Sequence, residues 1–550
     1  MGASVASTTR RSASAHVIGA SALGTLFEWY DFFLYGSLAS LIAVHFFSAV
    51  DPATGFIFAL ATFAVGFIVR PLGALIFGRI GDLTGRKNTF LMTLALMGVA
   101  TVLVGLLPGY GTIGIAAPIT LVVLRLLQGL AIGGEFGGAI VYVAEHAPPG
   151  KRGLHTSWIP ATAMGGLLLS LVVIMATRAA MSSENFADWG WRLPFLFSAI
   201  LLVISLWIRM RLNESPVFQD MKAAQTLSRS PLKETFLRWE NLRYVLLATF
   251  GCCIGQAVLF YASTFYAVFF LERVARVDGY TVTLMAVSAL AVGAPLTLMA
   301  GWLSDRLGRK PVLLGGLALA VLFYFPLFGA LLSAANPALA RAQETAPVVV
   351  HAAAGDCSLQ FDLMGRKRFD ARSCDIVKSF LARAGVSHAT EPLPAAGPAR
   401  LEVGELAIAV PDPSSMTAGA RAAAVAAFQA EVQAALAAAG YPEAADPAAI
   451  DRPRVVGILV LLLFIAALAT GGYASLLVEL FPARIRYSAL SFPQHFGNGW
   501  FGGILPAVAF TIVAATGDVF AGLWYPVAVA GVCLLIGAIA LPETRGRPIG

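Results

Sequence analysis

The sequence predicts an all-α membrane protein with twelve transmembrane helices arranged as two six-helix pseudo-repeats. A small α+β insertion is expected on the extracytoplasmic side, between helices 9 and 10. Three observations support this prediction: an unusually apolar composition, twelve long apolar runs, and a charged ten-residue stretch that occurs twice. Hydrophobic residues make up 58% of the 550 and charged residues only 13%, with a mean hydropathy of +0.77. Such a composition suits lipid rather than water as the solvent.

The apolar runs are about 20 residues long or more, enough for a helix to cross a hydrocarbon core of about 30 Å. They span residues 17–47, 54–77, 88–107, 117–144, 154–177, 193–210, 244–271, 280–300, 311–332, 454–480, 487–514 and 522–541. The first run follows two arginines, as a secretory signal would. It is too long for a signal and carries Glu28 and Asp31 in its middle, so we expect it to be retained as helix 1.

Basic residues are distributed unequally between the loops. If the N-terminus is cytoplasmic, the inside loops hold 21 Lys and Arg, whereas the short outside loops hold four, namely Arg178, Arg192, Arg273 and Arg276. This bias predicts that the tail 1–16, the central loop 211–243 and the tail 542–550 are all cytoplasmic. The net charge of +7 is spread over these loops rather than gathered in one patch, so no nucleic-acid partner is expected.

The charged stretch occurs as GRIGDLTGRK at residues 78–87 and as GWLSDRLGRK at residues 301–310. Aligning Asp82 with Asp305 sets an offset of 223 residues, which predicts one bundle at 17–210 and another at 244–333 plus 454–541. The segments around Glu145 and Glu479 also correspond, but they are offset by 334 residues. The second half therefore contains 111 additional residues.

The additional chain lies within residues 334–453, which are rich in Ala and Pro. Strand-like runs (APVVVH, ARLEVGELAIAV) and helix-like runs (CDIVKSFLARAG and an Ala-rich segment) predict a small α+β domain. In an oxidising outside compartment we expect Cys357 and Cys374 to form a disulfide. The insertion contains no G-x-S-x-G, H-E-x-x-H or C-x-x-C motif, so we expect no enzyme, no metal site and no cofactor besides a coupling proton.

The repeated stretch joins helix 2 to helix 3 and helix 8 to helix 9, both on the inside. Its glycines allow a tight turn, its Asp suits a helix N-terminus, and its Arg and Lys suit nearby carboxylates. Two copies at matching positions resemble the signature loop of the major facilitator superfamily. We predict a cytoplasmic gate made of Gly78, Asp82, Gly85, Arg86, Lys87, Glu145, Gly301, Asp305, Arg306, Gly308, Arg309, Lys310 and Glu479.

Within this gate, Glu145 and Glu479 are the expected partners of Arg86 and Arg309, in pairs that break when the inner face opens. The alternative is a static topology anchor. Leu83 in the first copy of the stretch stands where the second copy has Arg306, which predicts weaker gating by the first copy (the first arm of the gate).

Further segments resemble the metabolite:proton symporter family of that superfamily. They are FEWYDFFLYG, RPLGALIFGRIGD, RLLQGLAIGGEFGG, NESP after helix 6 and PETRG after helix 12. The resemblance covers the chain except the insertion. It implies a monomeric, multi-pass protein of the bacterial inner membrane, embedded in the lipid bilayer, that moves a small organic acid or zwitterion together with protons.

Ionisable side chains inside a bilayer are functional candidates because burying them is costly. Glu28 and Asp31 are three residues apart on helix 1 and share one face near the midplane. Two carboxylates in a low dielectric cannot both ionise cheaply, so one of them could carry a proton. A fixed ion pair with an arginine is the alternative.

Arg70 in helix 2 and Arg125 in helix 4 also lie at membrane depth. We expect each to pair with Glu28, Asp31, Glu135 or a substrate anion, and Gln128 shares the face of Arg125. Because a guanidinium binds a carboxylate through two hydrogen bonds, an anionic organic substrate is favoured. A structural Arg–Asp pair is the alternative for Arg125, and an inward-reaching side chain is the alternative for Arg70.

Polar residues of the second half complete the predicted central site. They are Gln256 and Tyr261 in helix 7 and His495 and Asn498 in helix 11. Each has packing in the protein core as its alternative. Two other functions stay open: a uniporter or exporter of the same solute class, and a membrane-anchored binding or sensor protein that uses the outside domain.

Overall fold

The computed structural model describes residues 2–50, 52–211, 213–353, 356–358, 371–393 and 397–549. Met1 and Gly550, the ends of the two predicted tails, therefore lie outside the described residues. Two six-helix halves pack against each other, and a small mixed domain follows helix 9. The backbone of the predicted N-terminal tail is helical from Gly2 and continuous with helix 1.

The N-terminal half contains helices 1 to 6. Helix 1 is Gly2–Ser37 continued by Ala39–Phe46, helix 2 is Pro52–Ile68 and Arg70–Thr84, and helix 3 is Arg86–Leu106. Helix 4 is Ala116–His146, helix 5 is Arg152–Thr156 and Trp158–Ala179, and helix 6 is Gly190–Met210. Short helices Tyr110–Ile113 and Ser183–Asp188 lie in the outer connections, and Pro216–Ala223 and Pro231–Phe236 lie in the central loop.

The C-terminal half contains helices 7 to 12. Helix 7 is Trp239–Arg273, helix 8 is Gly279–Leu307, helix 9 is Arg309–Ala335, helix 10 is Arg452–Gly471 and Tyr473–Leu480, helix 11 is Arg486–Thr516, and helix 12 is Ala521–Ala540. Helix 7 contains π-helical turns at Thr249–Cys253 and Ala262–Tyr266, and helix 11 contains one at Gly497–Gly502. Such turns are irregularities that recur at functional sites.

Eleven helices of the described part of the chain are long and apolar enough to cross a membrane, and they match the second to twelfth predicted spans. Helix 1 is not among them, because Glu28 and Asp31 lower its apolarity and a break at Leu38 interrupts it. Tyr30, Phe32 and Leu34 are nevertheless fully buried. Protein surrounds this part of helix 1, which allows it to carry charged groups at membrane depth.

The two halves meet along two helix pairs, helix 2 with helix 11 and helix 5 with helix 8. Small residues bring these helices close together. A Cβ added at Gly78 would lie 2.9 Å from the Cα of Ser488, and one added at Gly301 would lie 2.5 Å from the Cβ of Ser157. Gly78 and Gly301, both assigned to the gate, therefore act by permitting close contact between the halves.

The insertion is built around a four-stranded sheet in the order β2-β1-β3-β4. The strands are β1 Val348–Ala352, β2 His388–Pro392, β3 Arg400–Val403 and β4 Leu406–Ala409, and only β1 and β2 are parallel. Helices Pro337–Thr345, Ser373–Ala384 and Ala418–Ala438 complete the domain. The predicted α+β character is confirmed. Strand β2 was not predicted, because it is an edge strand with four exposed residues and lacks apolar alternation.

Three consecutive residue pairs fasten the segment 356–358 to the start of the helix Ser373–Ala384. Cys357 and Cys374 form a disulfide with a Cα–Cα distance of 5.1 Å. On either side of it, Ser373 donates to Asp356 (3.1 Å) and the Ser358 hydroxyl donates to Asp375 (2.7 Å). The predicted disulfide is thus one of three neighbouring links, each of which joins residues that are 17 positions apart in the sequence.

The insertion is anchored to the outer ends of the C-terminal half. Arg276, in the turn between helices 7 and 8, donates to the carbonyl groups of Ala384 and Pro442. Its own carbonyl accepts from the N–H of Ala445 at 3.0 Å. A second anchor joins the His388 N–H to the carbonyl of Gly517, between helices 11 and 12, at 2.9 Å.

The second anchor predicts a pH-dependent stability of the insertion. Burial lowers the pKa of His388 to about 4, assisted by the nearby Lys378 and opposed by the Val386 carbonyl. The unfolded state therefore binds more protons than the folded state between about pH 6.5 and pH 4. We expect the full stabilisation above pH 6.5 and a loss of about 3 kcal/mol as the pH falls to 4.

Hydrogen–deuterium exchange of the sheet measures this effect when rates are expressed as protection factors, which correct for the slower intrinsic exchange of amides at low pH, and smaller protection factors are expected at pH 5 than at pH 7.5. A His388→Gln variant serves as the control, because it removes the titrating group. Equal pH dependence of both proteins would contradict the prediction.

Candidate functional site

Two acidic residues tie the halves together at the inner face, defined here as the face that carries the turns 81–87 and 304–310. Asp82 of helix 2 accepts hydrogen bonds from the backbone N–H groups of Tyr487 (3.2 Å) and Ser488 (2.9 Å) at the start of helix 11. Asp305 of helix 8 accepts from the N–H groups of Gly153 and Leu154, at 2.8 Å each, at the start of helix 5. Each carboxylate lies where a helix dipole favours negative charge, and each bond crosses between the halves.

Buried ion pairs surround the two aspartates. In the second repeat, Arg309 contacts Asp305 at 2.7 Å and Glu479 at 3.2 Å. In the first, Arg86 lies 3.8 Å from both Asp82 and Glu145. The first arm is therefore looser, and Arg86 also donates to the carbonyl of Ala483 in the other half at 3.1 Å.

Two further arginines complete the ionic layer and were not among the predicted gate residues. Arg486 of helix 11 contacts Glu145 of helix 4 at 2.9 Å, and Arg152 contacts Glu479 at 3.5 Å. Both pairs join one half to the other. The inner face is thus closed by charges of both halves, and these contacts have to break for it to open.

The turns themselves repeat in detail. Gly85 and Gly308 adopt φ values of 109° and 115°, which favour glycine. Glu214 accepts from the N–H groups that open helix 3, and Glu543 accepts from those that open helix 9. Burial alone would raise the pKa of Glu543, but the N–H groups of Arg545, Arg309, Lys310 and Thr544 lower it.

Sequence reasoning missed Glu214 and Glu543 as partners of these turns. The signal was present, because each glutamate belongs to a short motif, NESP or PETRG, that directly follows the last helix of its half.

The remaining predicted gate residues lie at the rim. Lys87 donates to the carbonyl of Met210 (2.9 Å) and Lys310 donates to that of Ala538 (2.8 Å). The exposed Arg306 covers the ring of Trp302 at 4.0 Å. These three side chains contact helix ends or rings of their own half. The hydrogen bonds between the halves are made instead by neighbouring residues such as Asp82 and Asp305.

We expect Glu145→Gln to open the inner face. The substitution leaves Arg86 and Arg486 without their shared carboxylate, and breaking a buried pair costs about 3–5 kcal/mol. Ser491, fully buried against Gly137 of the other half, provides the reporter site. In a Ser491→Cys background, Glu145→Gln should raise maleimide labelling from the inner face at least about tenfold.

The matched control is Glu240→Gln, which changes an exposed glutamate on the same face. Labelling that stays at the level of Ser491→Cys alone would show that Glu145 does not hold the gate shut.

A second cluster lies deeper, inside the N-terminal half. Arg209 of helix 6 is buried and binds Glu135 of helix 4, and it lies 3.7 Å from Glu28 of helix 1. Thr93 of helix 3 donates to Glu135 at 2.9 Å. The guanidinium group of Arg209 therefore interacts with the carboxylates of both Glu135 and Glu28. Arg209 is one of the 21 basic residues assigned above to the inside loops, and this assignment is wrong because the residue lies in helix 6; its place inside the apolar run 193–210 was a signal for burial.

Glu28 and Asp31, predicted to share one face of helix 1, have different polar partners, and the contact of Glu28 with Arg209 is the arginine pairing that was the alternative. Glu28 is directed to Arg209, whereas Asp31 accepts a hydrogen bond from the Ser198 hydroxyl of helix 6. The reason is geometric: the shared face of helix 1 is wide enough for its neighbours to offer each carboxylate a different partner. Both side chains are buried.

Arg70 and Arg125 are buried without a carboxylate within 4 Å among the described residues, contrary to the expected pairing with Glu28, Asp31 or Glu135. Aromatic rings surround them instead. The ring of Phe32 lies 4.2 Å from the guanidinium carbon of Arg70 and 4.6 Å from that of Arg125. Arg125 donates to Gln128 at 2.6 Å, and Gln128 donates to Thr101 at 2.8 Å.

The guanidinium groups are also incompletely hydrogen-bonded. The Nε and Nη2 atoms of both Arg70 and Arg125 are buried with no hydrogen-bond partner in the described part of the chain. Ring faces attract cations, but they do not accept these N–H groups as an oxygen would. Two positive groups with free donors therefore lie close to one another, about 9 Å apart at most across the shared ring.

The second half contributes weaker contacts to this centre. Tyr261 lies 3.5 Å from Arg70, and both ring nitrogens of the buried His495 have no hydrogen-bond partner in the region described. Gln256 donates to Thr470 at 3.3 Å, and Asn498 donates to the Gln494 carbonyl at 2.9 Å. Tyr261 and His495 thus lie near Arg70, whereas Gln256 and Asn498 bind their own half.

Two six-helix halves that enclose buried charges and are bridged at one face by breakable ionic contacts define a transporter of the major facilitator type. The chain belongs to the sugar (and other) transporter family, which it matches over residues 17–235 and 219–353. It is a multi-pass integral membrane transporter and not an enzyme.

Curated relatives are also transporters. The chain is 38% identical to the inner membrane metabolite transport protein YhjE of Escherichia coli K12, over 59% of this chain and 74% of the relative. It is 40% identical to the shikimate transporter of the same organism, over 56% and 70% of the two chains. The solved structure of XylE, described as a proton:xylose symporter, matches with a TM-score of 0.64 at 15% identity and covers 98% of both chains, which shows the shared fold.

Proposed function

We propose that the chain is a proton-coupled symporter of a small organic acid. The observation that carries this proposal is the pair of buried arginines, Arg70 and Arg125, whose donors have no carboxylate partner in the described region. A substrate carboxylate would satisfy these donors through bidentate hydrogen bonds and neutralise buried charge. The relationship to a shikimate transporter supports an organic acid as the solute.

The coupling step is assigned to the cluster of Glu28, Glu135 and Arg209. Two carboxylates that share one guanidinium in a low dielectric favour holding one proton between them. Protonation weakens the hold on Arg209, and deprotonation restores it. In this mechanism the proton and the anion enter together from outside, so that their charges compensate each other at membrane depth.

The deciding experiment uses purified protein in sealed vesicles with an imposed pH gradient, acidic outside, and a panel of carboxylates and zwitterions. We expect acid-driven accumulation of at least one carboxylate, because a proton gradient of one unit stores about 1.4 kcal/mol per proton. Asp31→Asn should stop or uncouple this uptake, because asparagine can still accept the hydrogen bond from Ser198 but cannot take up or release a proton as the buried Asp31 carboxyl can.

Other outcomes have defined meanings. If the rate of carboxylate uptake does not depend on the pH gradient, the chain is a uniporter. If a zwitterion is taken up in preference to every carboxylate, the proposed substrate class changes from organic acid to zwitterion. Vesicles that move nothing would favour a membrane-anchored binding protein that uses the insertion. Unchanged pH dependence in Asp31→Asn would remove Asp31 from the coupling machinery.

A further inference from the structure

Tyr487 is placed where the inner gate and the coupling cluster meet. It is the second residue of helix 11, in the C-terminal half, and its side chain is fully buried. The ring enters the N-terminal half between helices 2 and 4, in space left by Gly81 and Gly138, where an added Cβ would collide with it. Its hydroxyl donates to the carbonyl of Gly134 at 2.6 Å.

The same residue also takes part in the gate. Its backbone N–H donates to Asp82 at 3.2 Å, next to the ionic layer. At its other end, the hydroxyl binds the carbonyl of the residue that precedes Glu135. Tyr487 is close enough to Glu135 and Arg209 to interact with both electrostatically. One side chain therefore extends from the gate to the coupling cluster.

We propose that Tyr487 is a positioning residue that seals the Glu28–Arg209–Glu135 cluster from the inner face until the gate opens. This inference rests on the proposed function and adds the element that makes proton release conditional on gate opening.

The side chain of Tyr487 has to move with helix 11, because it belongs to the first turn of that helix. When the bonds of Asp82 to Tyr487 and Ser488 break, helix 11 separates from helix 2 and the ring has to leave with it. The slot it vacates is formed by Gly81 and Gly138, whose missing side chains leave it open, and the ring of Phe90 lies beside Gly138. Water can then reach Glu135 from the inside, and only then can its proton leave.

The test measures proton leak in sealed vesicles without substrate, together with substrate exchange in the absence of a gradient. We expect Tyr487→Ala to raise the proton leak about tenfold while exchange falls no more than about threefold, because the arginines that bind substrate are untouched. Tyr487→Phe keeps the ring and loses only the hydroxyl, so its leak should remain low. The accumulation ratio of Tyr487→Ala should collapse and lose its dependence on outside pH.

Two controls separate sealing from stability. Tyr324→Ala removes an equally buried tyrosine whose hydroxyl binds within the C-terminal half, at 3.3 Å from the Leu259 carbonyl, and it should not leak. Gly138→Ala displaces the ring from the opposite side and should leak even if Tyr487→Ala fails to insert.

The outcomes are distinguishable. The sealing role would be overturned if neither Tyr487→Ala nor Gly138→Ala raised the proton leak. It would also be overturned if Tyr324→Ala raised the leak as much as Tyr487→Ala does. Loss of pH-driven uptake in the unsubstituted protein would instead overturn the proposed function.

Discussion

Arg125→Ala is expected to reduce transport of every carboxylate at least about 100-fold while the protein still inserts in the membrane. The substitution removes the donors that a substrate carboxylate would occupy, and losing two charge-assisted hydrogen bonds costs about 3 kcal/mol or more. Each 1.4 kcal/mol corresponds to a tenfold change. Uptake in vesicles and ligand-induced thermal shifts measure the two consequences, transport and binding.

The matched control for this experiment is Arg178→Ala. Arg178 lies near the outer end of helix 5, 4.8 Å from the ring of Phe186, and its loss should leave uptake unchanged. Arg125→Lys retains the charge without the planar fork and should recover only a small part of the activity. Normal uptake of all tested carboxylates by Arg125→Ala would remove Arg125 from the substrate site.

Glu135→Gln is expected to abolish acid-driven accumulation and to spare exchange of substrate across the membrane. Glutamine can accept the hydrogen bond from Thr93, but it cannot take up or release a proton. Arg209 would then remain bound to Glu28, and the cluster would no longer respond to outside pH. Uptake should lose its pH dependence between about pH 5.5 and pH 7.5.

Glu184→Gln provides the comparison, because Glu184 is an exposed carboxylate of the outer helix Ser183–Asp188. It should accumulate substrate normally. If Glu135→Gln accumulates substrate with an unaltered pH profile, coupling has to be assigned to another group, and Asp31 is the next candidate.

The fold could be predicted largely because lipid imposes simple rules on sequence. Long apolar runs, the bias of basic residues and the duplicated turn each report directly on helix number, orientation or repeat. Helix 1 departs from the pattern because protein rather than lipid surrounds it, so its apolarity is low. Strand β2 was missed for a similar reason, since an edge strand needs no alternation of apolar residues.

The candidate site was harder to predict because partners inside a bundle depend on rotation and depth. The sequence places Arg70 and Arg125 at membrane depth, but it does not show which partner each one faces. Arg209 lies at the end of an apolar run beside Arg211, so it resembles a loop residue. Tyr487 carries no signal as a single aromatic residue, because its role depends on two glycines of the other half.

The insertion has a consequence for measuring the motion of the transporter. Within the described part of the chain, every hydrogen bond between the insertion and the membrane helices ends on the C-terminal half, through Arg276, Gly517 and their neighbours. The domain must therefore move with that half as one rigid body. A fluorescent dye or an antibody fragment attached to it would act as a pointer, reporting the tilt of one half in living cells without touching the lipid-embedded surface.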